Sequence, residues 1–187
     1  MNSQISDLVS RSNTCLLFKN AQQREPMKSH EIPDRMWQRV GIDLFEFDRD
    51  NFMVISDYYS KYFEITKLLS TKSSTVISHL GPQFGRYGIP DEIVCDNGPQ
   101  FASAEFKRYT TDHNIRHIAS SPRYSQSNEL AERTVETAKT FLKKAKHDKA
   151  TPNIALLDLR NTPINGIGLS PSQMMMVRRT RTCVPTS

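Results

Sequence analysis

Arg39-Val-Gly-Ile-Asp-Leu-Phe-Glu-Phe47 is the stretch on which the fold turns. Its β-branched and aromatic residues read as a strand, and the polar group Asp48-Arg49-Asp50-Asn51 behind it is a turn signal. Phe52 to Ser56 and Tyr62 to Leu68 supply two further strands, so order is expected to begin at Trp37 with a three-stranded antiparallel meander. The stretch also carries an anomaly. Asp43 stands inside the apolar run Val40 to Phe45, where a covered carboxylate is costly unless it is paired or bound to a metal. It is either a surface acid on an edge strand or a site residue.

Beyond the meander the period changes. Val76, Ile77, Leu80 and Phe84 recur at helical spacing and predict a helix from Ser73 to about Tyr87. Gly81-Pro82 falls in the middle of that pattern. Proline removes a backbone hydrogen bond and clashes with the carbonyl of Ser78, so a kink or a broken helix is expected. A strand from Glu92 to Cys95, the turn Asp96-Asn97-Gly98-Pro99, a helix from Ser103 to Asn114, a strand from Arg116 to Ala119 and a polar loop from Ser120 to Gln126 follow. A long helix then begins near Ser127 as N-cap, with Glu129 and Glu132 in its first turns, where the helix dipole favours acids. Ala131, Val135, Ala138, Leu142 and Ala145 form its buried stripe; Glu132, Glu136, Lys139 and Lys143 run along another face, turning from acidic to basic. Two short helices, Asn153 to Asn161 and Ser170 to Val177, end the pattern. Strands first, then alternating helix and strand, indicate an α/β layer fold with a mixed sheet.

A length of 187 residues suits one domain, and 37% apolar with 24% charged residues excludes wholesale disorder. No run approaches the roughly 18 apolar residues of a membrane span, and Met1 to Ser10 lacks a signal-peptide pattern. A soluble protein of the nucleus or cytoplasm, not secreted and without a membrane partner, is expected. Cys15, Cys95 and Cys183 form no CxxC pair, which excludes a disulfide scaffold and a self-contained zinc finger; Cys95 reads as a small buried hydrophobe. The net charge of +5 is unevenly spread. Arg133, Lys139, Lys143, Lys144, Lys146 and Lys149 stand against only Glu136 and Asp148, and Arg178, Arg179 and Arg181 add a second cluster. Focused positive charge suits a nucleic acid, and a solvated helix face is the alternative.

Asp96 ends a strand, where ligands of α/β sheets gather, although an Asx-turn would also explain it. Glu132 is either an ordinary first-turn acid or the third member of a set with Asp43 and Asp96. Carboxylates from a central strand, a strand end and a helix start can converge, and such hard oxygen donors suit Mg²⁺ or Mn²⁺.

These residues lie in motifs that resemble the catalytic core of retroviral and gypsy-type LTR-retrotransposon integrases. The motifs are Asp43, Ile89-Pro-Asp-Glu-Ile-Val-Cys-Asp-Asn-Gly-Pro-Gln-Phe101 and Ser121-Pro-Arg-Tyr-Ser-Gln-Ser-Asn-Glu-Leu-Ala-Glu-Arg-Thr-Val135, with 35 residues between Asp96 and Glu132. Leu156-Leu-Asp-Leu-Arg-Asn-Thr-Pro163 and Leu169-Ser-Pro-Ser-Gln173 extend the likeness. The resemblance implies an RNase H-like fold, a five-stranded mixed sheet with helices on both faces. Asp43, Asp96 and Glu132 would then be catalytic and would hold two Mg²⁺ or Mn²⁺ ions. It implies 3′-end processing and strand transfer, DNA partners at the element ends and at the target, and a homo-oligomer. Asn97, Gln126, Asn128, Lys139 and Lys143 would contact DNA. Residues 1–35 would be a linker with the degenerate remnant of an upstream zinc-binding module, since Cys15 is present but Phe18 replaces its partner, so no zinc is expected. Residues 36–187 would be the catalytic core, without the family's C-terminal DNA-binding module. Glu129, Ser125 and Glu136 depart from the family's usual Gly, Pro and Gln. The competing expectation is a catalytically inactive or domesticated descendant that binds nucleic acid or protein.

Overall fold

The computed structural model describes residues 33–120, 129–147 and 151–182. Along the chain these form β1 (Arg39–Phe47), β2 (Asp50–Asp57), β3 (Phe63–Leu68), α1 (Ser73–Tyr87), β4 (Glu92–Cys95), α2 (Pro99–Ala102), α3 (Ala104–Asp112), β5 (Arg116–Ala119), α4 (Glu129–His147), α5 (Pro152–Asn161) and α6 (Pro171–Met176). Most of residues 1–35, Cys183, the loop after Ser120 and the Ser127 cap lie outside the described residues. Among the described residues no helix is long and apolar enough to cross a membrane.

The strands make one sheet in the order β3-β2-β1-β4-β5. The meander is antiparallel, whereas β4 runs parallel to β1 and β5 parallel to β4. The sheet is therefore mixed and β1 is its centre, so Asp43 is not on an edge. Alternation along β1 sends Val40 and Ile42 to one face and Gly41, Asp43 and Phe45 to the other.

The first face carries the main core. Val40, Ile42, Met53 and Ile55 pack there with Leu80 of α1, Phe101 of α2 and Phe106 of α3. Ile42, Leu80 and Phe106 are fully buried, and each such side chain is worth about 1.5–3 kcal/mol in area removed from water. The second face is covered by α4, whose Ala138, Val135 and Leu142 meet Phe45 and Val54. Phe141 continues this layer to Phe63 and Leu156 of α5.

Polar anchors fix the corners. Asp57 is fully buried at the end of β2, and accepts hydrogen bonds from the backbone N–H of Trp37 and of Ser60, both at 2.9 Å. Arg160 of α5 donates to the carbonyl of Phe63 and to Glu64 Oε2, at 2.6 and 2.7 Å, tying α5 to β3. Ser103 caps α3 by accepting from Phe106 N–H, and Ser170 opens α6 with a reciprocal capping box to Gln173.

The break expected at Gly81-Pro82 is absent, because α1 runs as one helix through Pro82. Ser78, Gly81 and Pro82 are all exposed, so the carbonyl that loses its partner faces water, which hydrates it.

Candidate metal centre and nucleic-acid face

The site forms where three elements meet on the α4 face of the sheet. Asp43 projects from the middle of β1 and is only partly exposed. Its Oδ1 accepts a hydrogen bond from Leu44 N–H at 2.8 Å. Burial pushes its pKa up to about 6; the Leu44 hydrogen bond opposes that rise, the charges of Asp96 and Glu132 add to it, and Lys139 opposes it. Asp43 thus feels the charge of both other acids.

Asp96 reaches this place by register. Gly41 pairs with Val94 across the parallel β1–β4 ladder, and continuing both chains by two residues brings Asp43 level with Asp96. Asp96 is exposed and its Oδ1 accepts from Gly98 N–H at 3.1 Å, so the turn role and the site position coexist in one residue. Gly98 then caps α2, with Pro99 in its first turn. Glu132 is exposed in the first turn of α4.

Among the described residues, no group of three or more His, Cys, Asp or Glu is arranged to hold a metal ion as it stands. The donor chemistry nevertheless fits a hard divalent cation: carboxylate oxygens only, on three separate elements, with mutual repulsion that such an ion would relieve. The arrangement is an open carboxylate cluster.

Of the five expected DNA contacts, three can be placed. Asn97 is exposed beside Asp96 and Lys143 is exposed on α4. Lys139 is half-buried, its Nζ 5.8 Å from the centre of the Phe45 ring and its charge felt by Asp43. Gln126 and Asn128 lie outside the described residues, as does the side chain of Glu129. Within the basic run, Lys146 is engaged by Asp48 at 2.6 Å, which leaves Lys143 and Lys144 as exposed cations of the last turns of α4.

Two supporting contacts escaped the sequence. Cys95, immediately before Asp96, is fully buried with its Sγ 2.9 Å from His117 Nε2; burial raises the pKa of the thiol and lowers that of the imidazole. Gly41 lies beneath Ala131, the residue before Glu132. Only the second had a signal, a glycine inside a strand pattern, which marks close backbone approach.

Known proteins resemble this chain in sequence and in fold. The family model for the integrase core domain matches residues 30–125. An uncharacterized protein of Caenorhabditis elegans, K02A2.6, is 30% identical over 188 residues, covering 97% of this chain and 15% of that protein. The Gag-Pro-Pol polyprotein of Simian retrovirus SRV-1 is 28% identical over 122 residues, covering 65% of this chain and 7% of the polyprotein. The chain thus spans 15% or less of the length of these curated relatives. Among solved structures, the HTLV-2 integrase catalytic core domain in complex with magnesium, in its trimeric form, superposes with a TM-score of 0.63 at 22% identity, covering 75% of this chain and 97% of that one. A chain of the simian T-cell lymphotropic virus intasome in complex with PP2A regulatory subunit B56 gamma gives a TM-score of 0.68 at 22% identity, covering 100% of this chain and 73% of that one. These likenesses bear on the fold, which is RNase H-like, as the motifs implied.

Proposed function

This chain belongs to the integrase core domain family of retroviruses and retrotransposons, and from that premise we propose that it is the catalytic core of a DNA integrase acting by metal-dependent phosphoryl transfer. Asp43, Asp96 and Glu132 would hold Mg²⁺ or Mn²⁺. Bound as a pair, such ions stabilise the attacking and leaving oxygens of an in-line displacement. The observation that carries the reading is geometric: the β1–β4 register brings Asp43 level with Asp96, and Glu132 stands on α4, the helix that packs on the Asp43 face of the sheet.

The chain's own residues divide the work. Asp43, the most enclosed of the three, supplies a carboxylate whose proton a cation would displace near pH 6. Asp96, held in its turn by Gly98 N–H, is aimed from a fixed strand end. Lys143 and Lys144 would meet backbone phosphates, Lys139 would serve the phosphate nearest the acids, and Asn97, Gln126 and Asn128 would border the strand being cut. Element ends and target DNA are the proposed partners, with action as a homo-oligomer in the nucleus or cytoplasm.

A second reading is a nucleic-acid-binding module without catalysis, for which the exposed Lys143 and Lys144 of α4 would serve. Cleavage and strand transfer on duplex oligonucleotides in Mg²⁺ or Mn²⁺ separate the two. The integrase reading predicts metal-dependent products that Asp96→Asn reduces by about a hundredfold or more while the fold persists. DNA binding without products in either metal supports the module instead.

A further inference from the structure

A strand residue at the centre of a sheet ordinarily carries a side chain that fills the space under the covering helix. At Gly41 that space is closed. A β-carbon placed there would stand 3.2 Å from Ala131 Cβ of α4, 3.1 Å from Ser56 Oγ of β2 and 3.2 Å from Cε2 of Tyr58. Ala131 and Tyr58 are buried, Ala131 completely, so neither neighbour has room to yield freely. The helix therefore rests on the bare backbone of β1.

This seat adjoins the chemistry on both sides. Gly41 and Asp43 are two apart on one strand and project to one face, while Ala131 and Glu132 are consecutive on α4. We infer that Gly41 is a positioning residue: its missing side chain lets Ala131 settle onto β1, and that contact sets the height of Glu132 above Asp43. The inference rests on the integrase reading and deepens it. Ser56 Oγ also reaches the Gly41 carbonyl at 3.3 Å, so the strand beneath the seat is itself tethered to β2.

A methyl group at position 41 would lift the start of α4 by a few tenths of an ångström, enough to loosen a site whose ligands come from different elements. The test is Mn²⁺ affinity, read from loss of the free-ion electron paramagnetic resonance signal on titrating the chain. Gly41→Ala is expected to weaken binding about tenfold, the range for residues that orient metal ligands. Gly41→Ala combined with Ala131→Gly is expected to recover to within about threefold of Ala131→Gly alone, because the clash with α4 is gone. Should Gly41→Ala fail to fold, Ala131→Val adds bulk from the helix side, and the same weakening is expected there. Unchanged affinity in a folded Gly41→Ala or Ala131→Val variant overturns the inference, as does failure of the double variant to recover. Absence of any Mn²⁺ binding that depends on Asp43 in the unaltered chain overturns the integrase reading itself, which distinguishes the two failures.

Discussion

The two faces of the sheet are built on opposite terms. Beneath β1, Ile42 and Val40 meet α1 and α3 in a continuous apolar layer. Above it, the same strand presents Gly41, Asp43 and Phe45 to α4 through a much smaller apolar cluster. The lower face buries the larger apolar cluster, while the upper face carries a carboxylate that burial penalises. A fold of this kind concentrates stability on one side and spends part of it on the other.

The largest effect should come from the stabilising face. Phe106→Ala is expected to lower stability by about 3–5 kcal/mol in a denaturant titration, since Phe106 is fully buried against Phe101 and His117. A loss below about 1 kcal/mol would show that this layer is not the main core.

The site face should respond with the opposite sign. Asp43 is less acidic in the folded chain than an ordinary aspartate, its pKa raised from 3.8 to about 6, so the folded state binds the proton more tightly. Its contribution is therefore a cost: absent below about pH 4, growing as pH rises, and complete above about pH 6. The full displacement would be about 3 kcal/mol, and partial exposure reduces it to about 1–2. In the metal-free protein Asp43→Asn should raise the melting temperature at pH 7.5 and leave it nearly unchanged at pH 4. Destabilisation at pH 7.5 would mean that the carboxylate is satisfied without a metal.

The smallest effect concerns Lys139. Lys139→Ala should reduce the slope of log affinity for DNA against log salt by about one, with little change in stability. It should also raise the pH at which Asp43 titrates, because the ammonium opposes that protonation. An unaltered slope would confine Lys139 to its place over Phe45.

Much of this contrast was legible in the residues. The meander and both later strands could be read because short β-branched, aromatic or apolar runs are bounded by turn residues, as in Asp48-Arg49-Asp50-Asn51 and Asp96-Asn97-Gly98-Pro99. Asp43 showed itself as a charge in an apolar run. The position of Lys139 over Phe45 could not be read, since it depends on which strand lies under which turn of α4. Pro82 misled for a related reason: the pattern placed a proline mid-helix but not which side of the helix would face water. The Cys95–His117 contact needed the β4–β5 register, in which Ile93 pairs with His117 and Cys95 with Ala119.

The divalent-cation site proposed on the α4 face is made by Asp43, Asp96 and Glu132. Calorimetric titration of Mg²⁺ or Mn²⁺ into the chain at pH 6, in buffers of different ionisation enthalpy, tests it most directly. Binding should release a fraction of a proton as Asp43 ionises, and Asp43→Asn should abolish both the release and most of the affinity. Equal binding, with equal proton release, in the unaltered chain and in Asp43→Asn would contradict it.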